Sequence, residues 1–157
     1  MSKKVSASMT LNGTPEEVFA VLTNPEYQKD KNERTGGSNV QVDVDGDAVT
    51  VTRELPAPAI AQKITGPTLE SKEVSAWEAA DSDGNRTGSI KVELGGGKVH
   101  INGDTELSGT DTTTFALNVE VKAKVPLIGG KIEADAANEF ERAVKAEEKI
   151  ANEWLAK

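Results

Sequence analysis

The residue types that most often carry enzyme chemistry are scarce in this chain. His100 is the only histidine, and there is no cysteine, so a zinc or copper site is disfavoured and thiolate chemistry is excluded. His100 alternates with Val99 and Ile101 along a predicted strand. If those two apolar side chains face the core, His100 faces water. A Ser-His-Asp triad therefore has no credible centre here.

Two acid-rich stretches resemble calcium loops only superficially. They are DVDGD at residues 43–47 and DSDGN at residues 81–85. An EF-hand needs an acid at its first position and a bidentate glutamate at its twelfth, and neither stretch supplies both at that spacing. Both fit hairpin turns instead. The two Gly-Lys pairs lack the Ser or Thr of a phosphate-binding loop. We therefore predict no metal site, no cofactor and no catalytic residue.

Two charged residues are informative because they fall on apolar faces. Arg53 shares its parity with Val49, Val51 and Leu55 along a predicted strand, and Glu147 lies in the middle of the apolar face of the last predicted helix. A buried charge is costly unless it is paired. Either both side chains point inward, to pair or to hold the polar end of a ligand, or each lies near an element end and extends to solvent.

The elements that would position these residues begin with one strand and two short helices. Alternating apolar residues predict a strand over residues 3–11. Thr14, Pro15 and Glu17 match a capping box with proline at the first helical position, and Asn24-Pro25 repeats the cap-then-proline signal. About six further strands follow, separated by turn signals. The clearest alternation runs from Phe115 to Val125.

A long helix is predicted over residues 131–156, which contain neither glycine nor proline. It would be about 39 Å long, whereas a strand of seven residues reaches about 23 Å, so it would cross the whole sheet. We expect Pro126 to end the last strand, and Gly129 and Gly130 to turn the chain back with positive φ. The apolar face of the helix, which must be buried against the sheet, comprises Ile132, Ala136, Phe140, Ala143, Ile150, Ala151 and Trp154.

Length and charge restrict the class of protein. A chain of 157 residues is most simply one domain, spanning residues 1–157. The net charge of −8, with basic residues scattered among acids, argues against nucleic acid or anionic lipid as a partner. No signal peptide or membrane-length apolar run is present, so we expect no membrane insertion and a cytoplasmic location.

This order of elements resembles the helix-grip fold of the START and birch-pollen-allergen-like superfamily, also called polyketide cyclase/lipid-transport-like or SRPBCC. Particular stretches resemble an actinobacterial branch known only as a domain of unknown function. The resemblance covers nearly the full chain and implies an α+β fold. In that fold a curved antiparallel sheet of about seven strands wraps around the C-terminal helix, with an apolar cavity between them. The matching stretches are residues 14–27, 85–93, 121–133 and 153–156.

We therefore predict binding or transport of a small hydrophobic ligand (a lipid, sterol, polyketide or quinone-like molecule) in an internal cavity. Two alternatives stay open. One is a polyketide-cyclase or aromatase-like enzyme acting in the same cavity, which is less favoured because the sequence supplies few titratable groups there. The other is a protein-interaction module in which an apolar groove, or the exposed loop around residues 56–67, meets a protein partner. The candidate ligand-binding residues are Arg53, Trp77, Phe115, Leu117, Val119, Ile132, Phe140 and Glu147.

Overall fold

One antiparallel sheet of seven strands organises the chain in the computed structural model, which describes residues 2–157. In space the strands follow the order β1-β7-β6-β5-β4-β3-β2. The predicted antiparallel sheet is confirmed. The structure adds that the first strand lies beside the last. The strands are β1 (Lys3–Leu11), β2 (Ser38–Asp45), β3 (Ala48–Pro56), β4 (Thr68–Trp77), β5 (Arg86–Leu94), β6 (Val99–Gly109) and β7 (Thr113–Ala123).

Four helices accompany the sheet within the described residues: α1 (Pro15–Leu22), α2 (Pro25–Arg34), α3 (Gln62–Thr65) and α4 (Gly129–Leu155). The capping box predicted for α1 is present. Thr14 Oγ1 accepts a hydrogen bond from the Glu17 amide at 3.2 Å, and Glu17 Oε1 accepts one from the Thr14 amide at 2.9 Å. Asn24 caps α2 by accepting from the Glu26 amide. None of the helices formed by residues 2–157 is long and apolar enough to cross a membrane.

The long helix α4 has two apolar sides rather than one. Its 27 residues pack mainly along β1 and β7, and the side chains buried there include Ala137 and Val144, which the predicted face left out. Ala136, Phe140 and Ala143 are only half-buried and face the space beside the helix. A helical wheel gives the width of an apolar surface, but it does not say which neighbour covers each part.

The turn before α4 differs from the prediction. Gly129 lies at the start of the helix, as does Gly130, and neither has positive φ; the left-handed residue is Leu127, with φ of 70°. The Ile128 amide donates to the Pro126 carbonyl at 2.8 Å, which closes a three-residue turn centred on Leu127. The chain therefore reverses before it reaches the glycines. The expectation of positive φ at both glycines is wrong.

The concave face of the sheet carries the core. Trp77 and Phe115 meet there edge to face, with ring centroids 5.6 Å apart. Glycines on this face let the strands bend, most clearly Gly103, where an added Cβ would lie 1.9 Å from the Asn118 carbonyl oxygen of β7. Val99 and Ile101 are buried as predicted, while His100 points to the other face.

Successive strands run in opposite directions, so alternate connections emerge at opposite ends of the sheet. One end carries the β3–β4, β5–β6 and β7–α4 connections, at residues 57–67, 95–98 and 124–128. The other end carries the β2–β3, β4–β5 and β6–β7 connections, at residues 46–47, 78–85 and 110–112. The two acid-rich stretches that resemble calcium loops belong to this second end and form hairpin turns, as predicted.

Candidate functional site

A cavity of about 590 Å³ lies between α4 and the concave face of the central strands. It exists because α4 rests on β1 and β7, so the inward side chains of β3 to β6 have no helix directly above them. Most of its wall is aliphatic or aromatic, and the apolar residues include Val51, Ile90, Val92, Ile101, Leu117, Ile132 and Phe140.

Arg53 lines the cavity and is held in place by α2. Its Nη1 donates to the Asn32 carbonyl at 3.0 Å and to Thr35 Oγ1 at 2.9 Å. These acceptors lie at the C-terminal end of α2, where the helix dipole favours a positive charge. Burial lowers the pKa of Arg53, and the carboxylates of Glu73 and Glu147 oppose that shift.

Glu147 pairs with a lysine of α2 rather than with Arg53. Its Oε1 lies 3.5 Å from Lys31 Nζ, and the two side chains are 21% and 6% exposed respectively. Glu147 also lines the cavity, so its exposed fifth faces the cavity contents. Burial raises the pKa of Glu147, although Lys31 opposes the shift. Burial alone would lower the pKa of Lys31, but Glu147 and Glu73 outweigh it and the net shift is upward.

Glu73 is the fourth ionisable group of this region. It lies on the inward side of β4, lines the cavity and is half-buried. Within residues 2–157 its carboxylate takes part in no side-chain hydrogen bond and no ion pair. It is therefore a negatively charged acceptor that is open to whatever occupies the cavity.

The predicted ligand-binding residues fall into two groups. Arg53, Leu117, Ile132, Phe140 and Glu147 line the cavity, and their contact with a ligand stays a prediction. The other three predicted residues, Trp77, Phe115 and Val119, are buried but do not line the cavity.

Sequence reasoning missed two members of the charged cluster. Glu73 carried a usable signal, because alternate residues of a strand face the same side, which places Glu73 on the side of Ser71 and Trp77. The same alternation singled out Arg53. Lys31 carried only a weak signal, since it lies four residues after Tyr27, the one large aromatic residue of an otherwise polar α2. Metal ligation finds no support in the geometry: in the part of the chain from residue 2 onward, no three His, Cys, Asp or Glu side chains converge as ligands would.

The gripped helix, the curved sheet and the cavity define the helix-grip fold. Three solved structures share this fold. The protein TTHA0849 from Thermus thermophilus matches with a TM-score of 0.67 at 15% identity, over 98% of this chain and 97% of its own. The ZhuI aromatase/cyclase from Streptomyces sp. R1128 matches with a TM-score of 0.63 at 12% identity, over 99% and 94%. A START superfamily protein from Mycobacterium smegmatis matches with a TM-score of 0.58 at 13% identity, over 96% and 98%.

The chain belongs to the family described as "Protein of unknown function (DUF2505)", whose model matches residues 6–155. The predicted helix-grip fold and the predicted place within a family of unknown function are both confirmed. No protein of curated function matches the sequence significantly.

Proposed function

We propose that this protein binds a small, mainly apolar molecule with one polar group in the cavity between the sheet and α4. The observation that carries the proposal is the makeup of that cavity, which has apolar walls and a few ionisable side chains on one side. Its volume of about 590 Å³ falls within the roughly 300–1,000 Å³ of sites that enclose small ligands. Burial of the apolar body would supply most of the affinity.

The charged side chains suggest how the ligand is oriented. Glu147 lies about 27 Å along α4 from Gly129, whereas exposed residues such as Ile64 and Lys98 line the cavity at the end where α4 begins. The polar group of the ligand would therefore enter first and lie deepest, beside Arg53, Glu73 and Glu147. The apolar body would fill the space toward the mouth.

The same side chains favour a hydrogen-bond donor over a carboxylate as the polar group. Arg53 and Lys31 are already engaged by protein partners, whereas Glu73 is an open acceptor. The cluster already contains two carboxylates, of Glu73 and Glu147, and two cations, of Arg53 and Lys31, so a ligand carboxylate would add a negative charge that no further cation balances. A hydroxyl, phenol or amine could instead donate to Glu73. Among the candidate ligands, sterol-like and phenolic molecules fit this requirement better than fatty acids.

A competition assay tests both points. The fluorescent probe N-phenyl-1-naphthylamine is bound first, and dodecanol, dodecylamine and dodecanoate are compared as competitors of equal chain length. We expect the alcohol and the amine to displace the probe at lower concentration than the carboxylate. Glu73→Gln should reduce the difference in displacing concentration between dodecanoate and the other two competitors. Glu70→Gln, the same substitution on the outward face of β4, should leave that difference unchanged. Native mass spectrometry of protein purified from its own host would identify the natural ligand.

A cavity-filling substitution supplies the matched control. Ala143 lines the cavity, while Ala146 is exposed on the same helix. Ala143→Trp should abolish probe binding and Ala146→Trp should preserve it. Equal binding by both variants, or no probe binding by the unmodified protein, would count against the cavity as a ligand site.

An enzyme acting in this cavity is a second candidate, and one observation favours it. Glu147 combines a pKa raised by burial with a position next to Arg53 and Glu73 on the cavity wall, and such clusters are typical of proton-transfer sites. The test uses the ligand recovered by mass spectrometry. A mass or spectral change that appears with the unmodified protein and is lost in Glu147→Gln would support catalysis, and an unchanged ligand would reject it.

A further inference from the structure

The two ends of the sheet carry opposite charge. We call residues 57–67, 95–98 and 124–131 the lip; they contain four exposed lysines and no acidic residue. The connections at the opposite end contain five acidic residues, and their nearest cation, Arg86, pairs with Asp47. This separation arises in a chain with 26 acidic and 18 basic residues, so the lip is a strong local departure from the net charge of −8.

The lip is one continuous surface around the cavity mouth. The Lys124 amide donates to the Lys98 carbonyl at 2.7 Å, and a Cβ added at Gly95 would lie 3.3 Å from Thr65 Cγ2. Residues from all three parts, including Lys98, line the cavity. The nearest acid on α4, Glu133, is buried and accepts a hydrogen bond from the Ala123 amide. The next two, Asp135 and Glu139, lie about 6 and 12 Å beyond Lys131 along the helix axis.

The lip also carries exposed apolar side chains. Leu127 is fully exposed and Ile64 is 36% exposed, and no other large hydrophobic residue in the described range 2–157 is comparably open to solvent. Leu127 is held at φ of 70°, a conformation that costs a leucine free energy. A leucine that projects into water contributes nothing to the core, so Leu127 is available for contact with a partner outside the chain.

We propose that the lip docks on an anionic lipid surface and thereby opens the cavity mouth toward the membrane. The lysines would lie at the level of the lipid phosphates, and Leu127 and Ile64 would enter the boundary of the acyl chains. The repelled acidic end would point away from the surface, which fixes the orientation. The cavity ligand could then exchange with the membrane without crossing water.

A lipid surface explains the lip better than an acidic protein does. An acidic protein would account for the lysines but not for their arrangement around the mouth of an apolar cavity. A membrane accounts for the charge, the two projecting apolar side chains and the mouth together. The sequence alone concealed this surface, because its lysines come from three segments that are brought together only by the antiparallel returns of the chain.

Vesicle flotation at low and high salt tests membrane docking without any cavity ligand. A negative result here would therefore reject the docking proposal and leave the proposed ligand binding unaffected. The vesicles are phosphatidylcholine with or without phosphatidylserine. We expect binding only with phosphatidylserine, and release by salt. The variant K63E/K98E/K124E/K131E should bind at least about 100-fold more weakly, since each lysine near an anionic surface contributes about fivefold. Leu127→Ala should weaken binding by about tenfold through lost apolar contact.

The control variant is K29E/K72E/K91E/K145E, which makes the same charge change at four exposed lysines outside the lip. Retention of binding by this control and loss by the lip variant would support the proposal. Three results would overturn it: no binding of the unmodified protein to phosphatidylserine vesicles, equal loss in both variants, or binding of the lip to polyglutamate but not to vesicles.

Discussion

Replacing Lys31 with methionine tests the buried ion pair that joins α2 to α4. Lys31 Nζ and Glu147 Oε1 lie 3.5 Å apart, where Coulomb's law with an effective dielectric constant of about 20 gives an attraction of about 5 kcal/mol. Removing one member of a buried pair typically costs about 3–5 kcal/mol. Part of Glu147 faces the cavity, where water can solvate it. We therefore expect Lys31→Met to lower the free energy of unfolding by about 3 kcal/mol at pH 8.

The loss should be smaller in acid. Burial raises the pKa of Glu147 above its ordinary value of 4.5, and Lys31 opposes that rise, so removing Lys31 raises the folded-state pKa further. A carboxyl whose pKa is higher in the folded state carries no penalty below its unfolded-state pKa. The penalty grows as pH rises from that value toward the folded-state pKa and is constant above it. Each pH unit in that window is worth about 1.4 kcal/mol. We expect Lys31→Met to lower the free energy of unfolding less at pH 5 than at pH 8.

Urea unfolding at pH 5 and pH 8, followed through the fluorescence of Trp77 and Trp154, measures both quantities. The difference in free energy of unfolding between the variant and the unmodified protein is taken at each pH, so that contributions from groups that titrate alike in both proteins cancel. Lys29→Met, an exposed change on the same helix, should have little effect. The double variant Lys31→Met with Glu147→Leu should recover most of the loss, because no unpaired carboxylate is left. An equal loss at both pH values would refute this account of the pair.

Two further stability predictions follow from particular atoms. Thr105 Oγ1 is buried and has no hydrogen-bond partner in the described structure. Thr105→Val should therefore raise the free energy of unfolding, measured by urea titration, by about 1 kcal/mol. A stability gain no larger than that of the exposed control Thr114→Val would contradict this. Gly103→Ala would place a Cβ 1.9 Å from the Asn118 carbonyl oxygen and 2.6 Å from Val119 Cα, so calorimetry should show a loss of about 3 kcal/mol. A Cβ added at Gly96 would have no atom within 4 Å, so the control Gly96→Ala should lower the free energy of unfolding by only about 1 kcal/mol, through its positive φ. Equal losses of stability in the two variants would argue against crowding at Gly103.

The sequence predicted most of the fold because its signals are local. Alternation identified β1 and β7, and the capping box with proline at the next position identified α1. Interactions between distant segments were harder to foresee. The orientation of α4 depends on two different neighbours, the sheet edge and the cavity, which a helical wheel cannot separate. The reversal before α4 uses Leu127 rather than a glycine, against the usual preference at positive φ.

The candidate site was predicted only in part, for a related reason. Arg53 and Glu147 were found because each interrupts an apolar pattern. Their actual partners, the end of α2 and Lys31, follow from where a largely polar helix docks, and in the α2 sequence only Tyr27 marks the docked side. Glu73 was detectable by strand parity but was overlooked. Contacts that depend on the tertiary arrangement of α2 need coordinates.

The pairing of β1 with β7 has a consequence for biosynthesis. β1 leaves the ribosome before the other strands described here, yet its neighbour in the sheet begins at Thr113, and the helix that covers it is made later still. The meander from β2 to β6 can form by successive hairpins while β1 waits. Closing so long a loop carries an entropic cost and slows folding. We expect nascent chains that stop before β7 to leave β1 unpaired and open to chaperones.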